Sequence, residues 1–231
     1  MRSTFLKSIF FFMLLLFAVS PEIFAQSAAQ GGFRVLIDPA HGGTDPGVIL
    51  PDKTAEKDIT LALAVSLKKY LEESDPRIKV SLTRSSDKTV SIADRRNMVK
   101  KYKAALMVSL HANAGFGPDA SGYEISLPGL KHLGGSASGE GVVTNMERTK
   151  YANDSIRLAQ LIQKNLEIIF PRKGRGIREV PVLLLMGLSV PSVCVEVGFL
   201  TNKDDKGKIL DKDAQKDVAR SIGRGIRGFF D

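Results

Sequence analysis

Short, nearly unbroken apolar runs set the folding problem for this chain. FRVLID (33–38), ALMVSLH (105–111) and SVCVEVGF (192–199) place apolar residues at consecutive rather than alternate positions. Strands of that kind need cover on both faces, which a parallel sheet flanked by helices provides. IKVSLTR (78–84), GYEISL (122–127) and VPVLLLM (180–186) complete the expected strands. Between them, Ile59, Leu63, Leu67 and Leu71 recur at helical spacing and predict an amphipathic helix over about 55–73, stopped by Asp75-Pro76. Ser91-Ile-Ala-Asp94 has the form of a capping box opening a helix to about 103. Ala159, Ile162, Leu166 and Ile169 mark a further helix ended by Pro171, and Val218, Ile222, Ile226 and Phe229 mark the last. The expectation is a single α/β domain, with a mostly parallel twisted sheet of about six strands and helices on both faces. GYEISL follows its predecessor too closely for a crossover helix and is expected to pair antiparallel.

The amino end carries a different pattern. Arg2 and Lys7 precede the apolar run Ile9–Val19, and small residues follow around Ala25. This is the form of a secretory leader, with 1–25 removed, Ala28 and Ala29 as alternative cleavage points, 26–32 a short linker and 33–231 the folded domain. The run is shorter than the roughly 20 residues needed to span a bilayer, so no stable membrane anchor is expected after cleavage. The 33 Lys and Arg against 25 Asp and Glu give a formal charge of +8, which suits an anionic partner. Export argues against nucleic acid and leaves a membrane face or a wall polymer. Cys194 is the only cysteine, so no intramolecular disulfide forms, and its place in VCVEV reads as a buried, inert thiol. Gly129 through Gly141 is rich in glycine and serine and includes His132, and the irregular stretch 129–153 reads as a mobile surface loop or a functional segment.

In open α/β sheets, sites form at the carboxyl ends of strands. His41 follows the first strand in VLIDPAHGGTDPG, His111 ends the third, Glu196 lies near the end of the last, and Glu56 opens the first helix. Taken singly, each has an ordinary explanation: a turn histidine, a strand-end histidine, a helix first-turn carboxylate. Glu196 differs, because a carboxylate between Val195 and Val197 is costly to bury without a role. Together they resemble a catalytic metal set of two histidines and a carboxylate, with a second carboxylate left to move protons. That chemistry suits hydrolysis of an amide or ester. A lipase oxyanion loop would need a G-x-S-x-G elbow, a zincin H-E-x-x-H, and a phosphate loop the Walker lysine; the chain has none of these.

Four motifs resemble the zinc-dependent N-acetylmuramoyl-L-alanine amidases of amidase type 3, over roughly residues 33–230. "IDPAHGGTDPG" is similar to that family's first metal-histidine loop, "AEKDITL" to its acidic helix start, "MVSLHANA" to its S-I/L-H-A-N signature and "VPSVCVEVGFLTN" to its closing strand. The resemblance implies that Zn2+ is held by His41, Glu56 and His111 and that Glu196 is the catalytic base. It implies cleavage of the amide joining N-acetylmuramic acid to L-alanine of the peptidoglycan stem peptide. Thr44, Asp45 and Asn113 flank the ligands and are expected to support them by hydrogen bonds. Lys53-Thr54-Ala55, Ala105 and Val197 depart from the usual pattern without removing a ligand or the base. Some relatives carry a regulatory helix in the region of 129–153, so the resemblance also implies a protein activator and a lid in which Glu140 or Glu147 reaches the metal. The chain is expected to be an exported monomer, in the periplasm or alternatively in the outer wall. Two other readings remain open: a non-catalytic wall-binding protein of the same fold, and a zinc peptidase acting within the stem peptide.

Overall fold

The computed structural model describes residues 32–128, 142–171 and 173–231. A six-stranded sheet has the order β2-β1-β3-β6-β4-β5. Its strands are β1 (Phe33–Pro39), β2 (Ile78–Leu82), β3 (Leu106–Asn113), β4 (Glu124–Leu127), β5 (Gly176–Glu179) and β6 (Ser192–Phe199). β1 pairs in parallel with β2 and β3, and β3 pairs in parallel with β6. β4 runs antiparallel to β6, as its short connection requires, and β5 is parallel to β4. The helices are α1 (Glu56–Ser74), α2 (Ile92–Lys101), α3 (Val142–Ile169), α4 (Lys203–Leu210) and α5 (Lys212–Phe230).

Alternation along the strands divides the core in two. Val35 and Ile37 of β1, Leu106, Val108 and Leu110 of β3, and Val193, Val195 and Val197 of β6 meet Leu63 and Leu67 of α1, Leu158 and Ile162 of α3, and Ile222 and Ile226 of α5. The opposite face is smaller: Leu36, Met107 and Cys194 pack on Val99 of α2 and on Leu184 and Leu185. Both faces are covered, which explains why the central strands read as continuous apolar runs. After β1 the chain passes to β2 on one side; after β3 it passes to β4 on the other. The carboxyl ends of β1 and β3 therefore flank the point where the strand order reverses, where α/β sheets form their crevices.

Local signals account for the helix ends. The Ser91 hydroxyl accepts from the Asp94 amide at 3.1 Å, the expected cap of α2. Asn202 caps α4 and Asp211 caps α5 in the same manner. Among the described residues no helix is long and apolar enough to cross a membrane.

Three expectations need correction. VPVLLLM (180–186) is not a strand: it folds as turns, with the Leu185 and Met186 amides both donating to the Val182 carbonyl. Pro181 cannot donate to a ladder, and Leu183 points outward, 60% exposed. The edge position belongs to β5, whose GIRE sequence carries no apolar run. Residues 142–153 are not an irregular loop but the first turns of α3, and Glu147 lies exposed on that helix. Met146 to Lys150 are largely exposed, because the buried face of α3 begins only near Ala152 and Ser155. α4 was not expected at all; it carries Gly207 and five charged residues, three lysines and two aspartates, in eight positions. The leader (1–25), most of the linker, and His132 and Glu140 fall outside the described residues.

Leu67 is fully buried against the larger core, whereas Leu183 is exposed. Leu67→Ala is expected to cost about 2–5 kcal/mol and Leu183→Ala less than about 0.5 kcal/mol in urea unfolding.

Candidate metal centre

The site begins with a buried charge. Asp38, 1% exposed at the end of β1, accepts hydrogen bonds from the Thr83 and Ser109 hydroxyls and pairs with Arg95 of α2. The remaining donors of Arg95 reach the carbonyls of Pro39 at 2.9 Å and His41 at 2.6 Å. From the β2 side, Arg84 donates to Pro39 at 3.0 Å, to Ala40 at 2.8 Å and to Lys57 of α1 at 2.7 Å. Two guanidinium groups thus grip the backbone of consecutive residues 39–41. A single Arg is suited to this because its donors form a rigid planar fork. The grip holds His41 at φ +64°, a left-handed conformation uncommon outside glycine.

The following loop is pinned equally closely. The Gly43 amide donates to Asp87 at 2.7 Å, and Lys57 donates both to Asp87 and to the Gly43 carbonyl. A Cβ on Gly43 would lie 2.2 Å from the Thr89 hydroxyl, so only glycine allows this approach. Gly47 is constrained by the site itself, since its Cβ would fall 2.5 Å from Glu56 Oε2 and 2.7 Å from the His41 ring.

Glu56, 3% exposed at the first turn of α1, stands between the two histidines. Its Oε2 accepts from the Val48 amide at 3.0 Å and lies 3.1 Å from His41 Nε2. Its Oε1 accepts from the Ala112 amide at 3.0 Å and lies 3.2 Å from His111 Nδ1. His41 Nδ1 meets Asp45 Oδ2 at 2.8 Å, which orients the ring and leaves Nε2 facing inward. The imidazole centroids are 5.1 Å apart, edge to face. One donor atom from each of His41, Glu56 and His111 lies within 4.8 Å of the others. Two imidazole nitrogens and a carboxylate oxygen converging in this way form a donor set that fits a first-row divalent metal with a position left open. Among the described residues it is the metal-capable cluster, and Glu147 is not in it.

Glu196 arrives from the neighbouring strand. It is directly opposite His111 in the β3–β6 register and opposite Glu124 in the β6–β4 register. Its Oε2 is buried with no hydrogen-bond partner among the described residues.

The two glutamates have opposite electrostatics. For Glu56, burial alone would raise the pKa, but hydrogen bonds from His111, His41 and the Ala112 and Val48 amides outweigh it and hold the carboxyl well below its ordinary range. For Glu196, burial dominates and pushes the pKa up to about 7, with His111 opposing and Glu56 and Glu124 assisting. His41 is raised to about 9 by its hydrogen bond to Glu56, against burial. His111 is also raised: burial would lower it, but Glu56 and Glu196 outweigh that. The negative charge at the centre therefore attracts positive charge, as protons or as a metal ion.

All four expected site residues come to one rim. Of the expected supports, Asp45 touches His41, whereas Thr44 turns to Thr89, with amide and hydroxyl 3.0 and 3.1 Å from its Oγ1. The Asn113 carbonyl accepts from the Leu200 amide at 2.8 Å. Sequence reasoning missed Asp38, Arg84 and Arg95. The signal for Arg84 lay in an arginine closing an otherwise apolar strand run; nothing distinguished Arg95 from Arg96. Removing Arg95 leaves Asp38 buried and uncompensated. Arg95→Ala is expected to destabilise the fold by about 3–5 kcal/mol, measured by urea unfolding, and Arg96→Ala, half-buried with one hydrogen bond to the Leu183 carbonyl, by less.

The N-acetylmuramoyl-L-alanine amidase family, amidase type 3, matches residues 35–228. The probable N-acetylmuramoyl-L-alanine amidase AmiB of Haemophilus influenzae is 27% identical over 93% of this chain, which spans 56% of that relative's length. The N-acetylmuramoyl-L-alanine amidase from Clostridium difficile 630 superposes with a TM-score of 0.72 at 28% identity, over 87% of this chain and 98% of that one. The CwlD amidase from Clostridioides difficile, solved in complex with the GerS lipoprotein, superposes with a TM-score of 0.71 at 26% identity, over 86% and 98%. With the same fold and the histidine and glutamate motifs seated at its crevice, this chain belongs to the N-acetylmuramoyl-L-alanine amidase family.

Proposed function

We propose that this protein is a zinc-dependent hydrolase of peptidoglycan that cleaves the amide between N-acetylmuramic acid and L-alanine of the stem peptide. The observation that carries the reading is the pairing of a convergent His41–Glu56–His111 donor set with Glu196 on the adjacent strand, a half-buried residue whose Oε2 is buried without a hydrogen-bond partner among the described residues. We assign His41, Glu56 and His111 as the ligands and Glu196 as the general base. Zinc is the metal that two imidazoles and a carboxylate commonly hold in hydrolases, and when bound it supplies a Lewis acid for the carbonyl and a lowered pKa for water.

The chain's own residues then have distinct tasks. Asp45 keeps His41 in one orientation, and the backbone amides at Val48 and Ala112 fix both oxygens of Glu56. Glu196 has no such donors on Oε2, so its basicity is available for chemistry. It takes a proton from water as the oxygen attacks the carbonyl carbon. It then returns that proton to the departing nitrogen as the C–N bond breaks, giving a free carboxylate on the sugar and a free L-alanine amine. A pKa near 7 suits a group that must both accept and donate, and a nearby cation favours the accepting form.

A wall-binding protein without catalysis would have no use for a carboxylate oxygen buried without a donor, which costs stability. We read residues 1–25 as a leader that sends the chain to the periplasm or outer wall, where the +7 charge left after removal of Arg2, Lys7 and Glu22 suits an anionic polymer. The expected protein activator has a parallel in CwlD with its lipoprotein partner.

The test is mass spectrometry of purified peptidoglycan digested by the zinc-loaded mature chain and by Glu196→Ala. Stem peptides with free L-alanine amines are expected from the first, with at least about a 100-fold loss in the second. Glu196→Ala is expected to retain its metal, and His111→Ala or Glu56→Ala to lose it, by metal analysis of the purified proteins. Cleavage inside the stem peptide would replace the amidase reading with a peptidase, and binding without cleavage would replace it with a wall-binding protein.

A further inference from the structure

The site face continues past Glu196 to the edge of the sheet. His111, Glu196 and Glu124 stand in register across β3, β6 and β4. On β5, Arg178 pairs with Ser126 of β4, which shares the Glu124 face because residues two apart on a strand point the same way. Its neighbour Ile177 packs into the larger core on the other face. Arg178 Nη1 reaches Glu124 Oε2 at 3.4 Å, confirming that the guanidinium lies on the site side. In that row β5 contributes Gly176, and Arg178, two residues further along the strand, joins it by reaching back to Glu124.

Charge and exposure distinguish the members of this row. Glu124 is nearly buried, its side chain 11% exposed, and lies 3.4 Å from both Arg175 and Arg178. Arg175 is committed elsewhere as well: its guanidinium lies 5.4 Å from the centre of the Phe199 ring. Among the described residues Arg178 makes one long ion-pair contact, and its side chain is half exposed, on a strand that ends the sheet order. Two guanidinium groups around one carboxylate leave a net positive charge facing the site. Glu124 therefore anchors the arginines without cancelling them.

We propose that Arg178 binds a carboxylate on the peptide side of the substrate. This rests on the amidase reading, which places the scissile carbonyl at Glu196. From β6 to β5 is two strand spacings, roughly 10 Å, and the two-residue offset of Arg178 makes the separation roughly 12 Å, part of which its side chain spans by reaching back to Glu124. An extended peptide covers that in about three residues, so a carboxylate on the second or third residue of the leaving peptide reaches Arg178. A planar guanidinium fork suits a carboxylate, and its position on a sheet edge leaves room for an extended chain to lie alongside. Arg178 sets which stem peptides are accepted and takes no part in bond cleavage.

The test uses two synthetic probes, N-acetylmuramoyl-L-alanyl-glutamate with free carboxylates and its fully amidated counterpart. The zinc-loaded chain is expected to favour the free acid by about tenfold or more in kcat/KM, expressed mainly in KM. Arg178→Gln is expected to bring the two probes within about twofold of each other, and Arg178→Lys to restore part of the preference. Calorimetric binding of both probes to zinc-loaded Glu196→Ala, with and without Arg178→Gln, gives the same comparison without turnover. A preference that persists in Arg178→Gln, or is absent from the parent chain, overturns the proposal. So does an equal loss on both probes, which marks a structural role. If the parent chain releases L-alanine amines from neither probe nor wall polymer, the amidase reading fails, and the binding comparison still decides Arg178.

Discussion

Asp38 is a carboxylate with almost no access to water, and a buried charge of that kind needs compensation from its surroundings. The compensation comes from three elements at once: Thr83 after β2, Ser109 on β3 and Arg95 on α2. Because Arg95 has donors to spare, the same group that neutralises Asp38 also grips the carbonyls of residues 39 and 41. Arg84 grips residues 39 and 40 from the other side. The crevice at the reversal of strand order is thereby lined with a loop whose backbone has few alternatives. His41 is presented in a left-handed conformation by this clamp, and the ligand geometry follows from it. The stability of the sheet's carboxyl edge and the position of the first histidine are one problem with one solution.

The same rim assigns three glutamates to three fates through their donors. Glu56 receives two backbone amides and faces two imidazoles, so it remains ionised and fixed. Glu196 is opposed by His111 but has an oxygen without a donor, and burial raises it to about 7. Glu124, one strand further, is shared by two arginines. Residue type is identical in all three; the number and charge of neighbouring donors underlie the different roles we propose for them, holding a cation for Glu56, moving a proton for Glu196 and anchoring guanidinium groups for Glu124. The register of β3, β6 and β4 brings Glu196 and Glu124 to the side of His111 although they are far apart in sequence.

What could be read from the sequence follows from burial. β1, β3 and β6 are covered on both faces, so their apolar runs are continuous and legible, and β6 falls on the expected residues 192–199. α1 and α5 present one stripe to the core and were visible by periodicity. β5 lies at an edge with alternating charge, and the first turns of α3 carry no buried stripe, so neither had a periodic signal. VPVLLLM misled because a buried turn that caps the smaller core is as apolar as a strand. His41, Glu56, His111 and Glu196 were legible because each stands at a strand end or helix start in a distinctive motif. Arg84, Arg95 and Arg178 were not, since an arginine in sequence does not say whether it faces water, a backbone carbonyl or a carboxylate.

The central claim is that His41, Glu56 and His111 together hold a metal beside Glu196. X-ray absorption at the zinc edge of the zinc-loaded chain tests it most directly, compared with His41→Ala and His111→Ala. The account predicts a shell of nitrogen and oxygen ligands with two imidazole contributions, one of which disappears in each variant. A shell containing sulfur, or one in which neither substitution removes an imidazole, would contradict it.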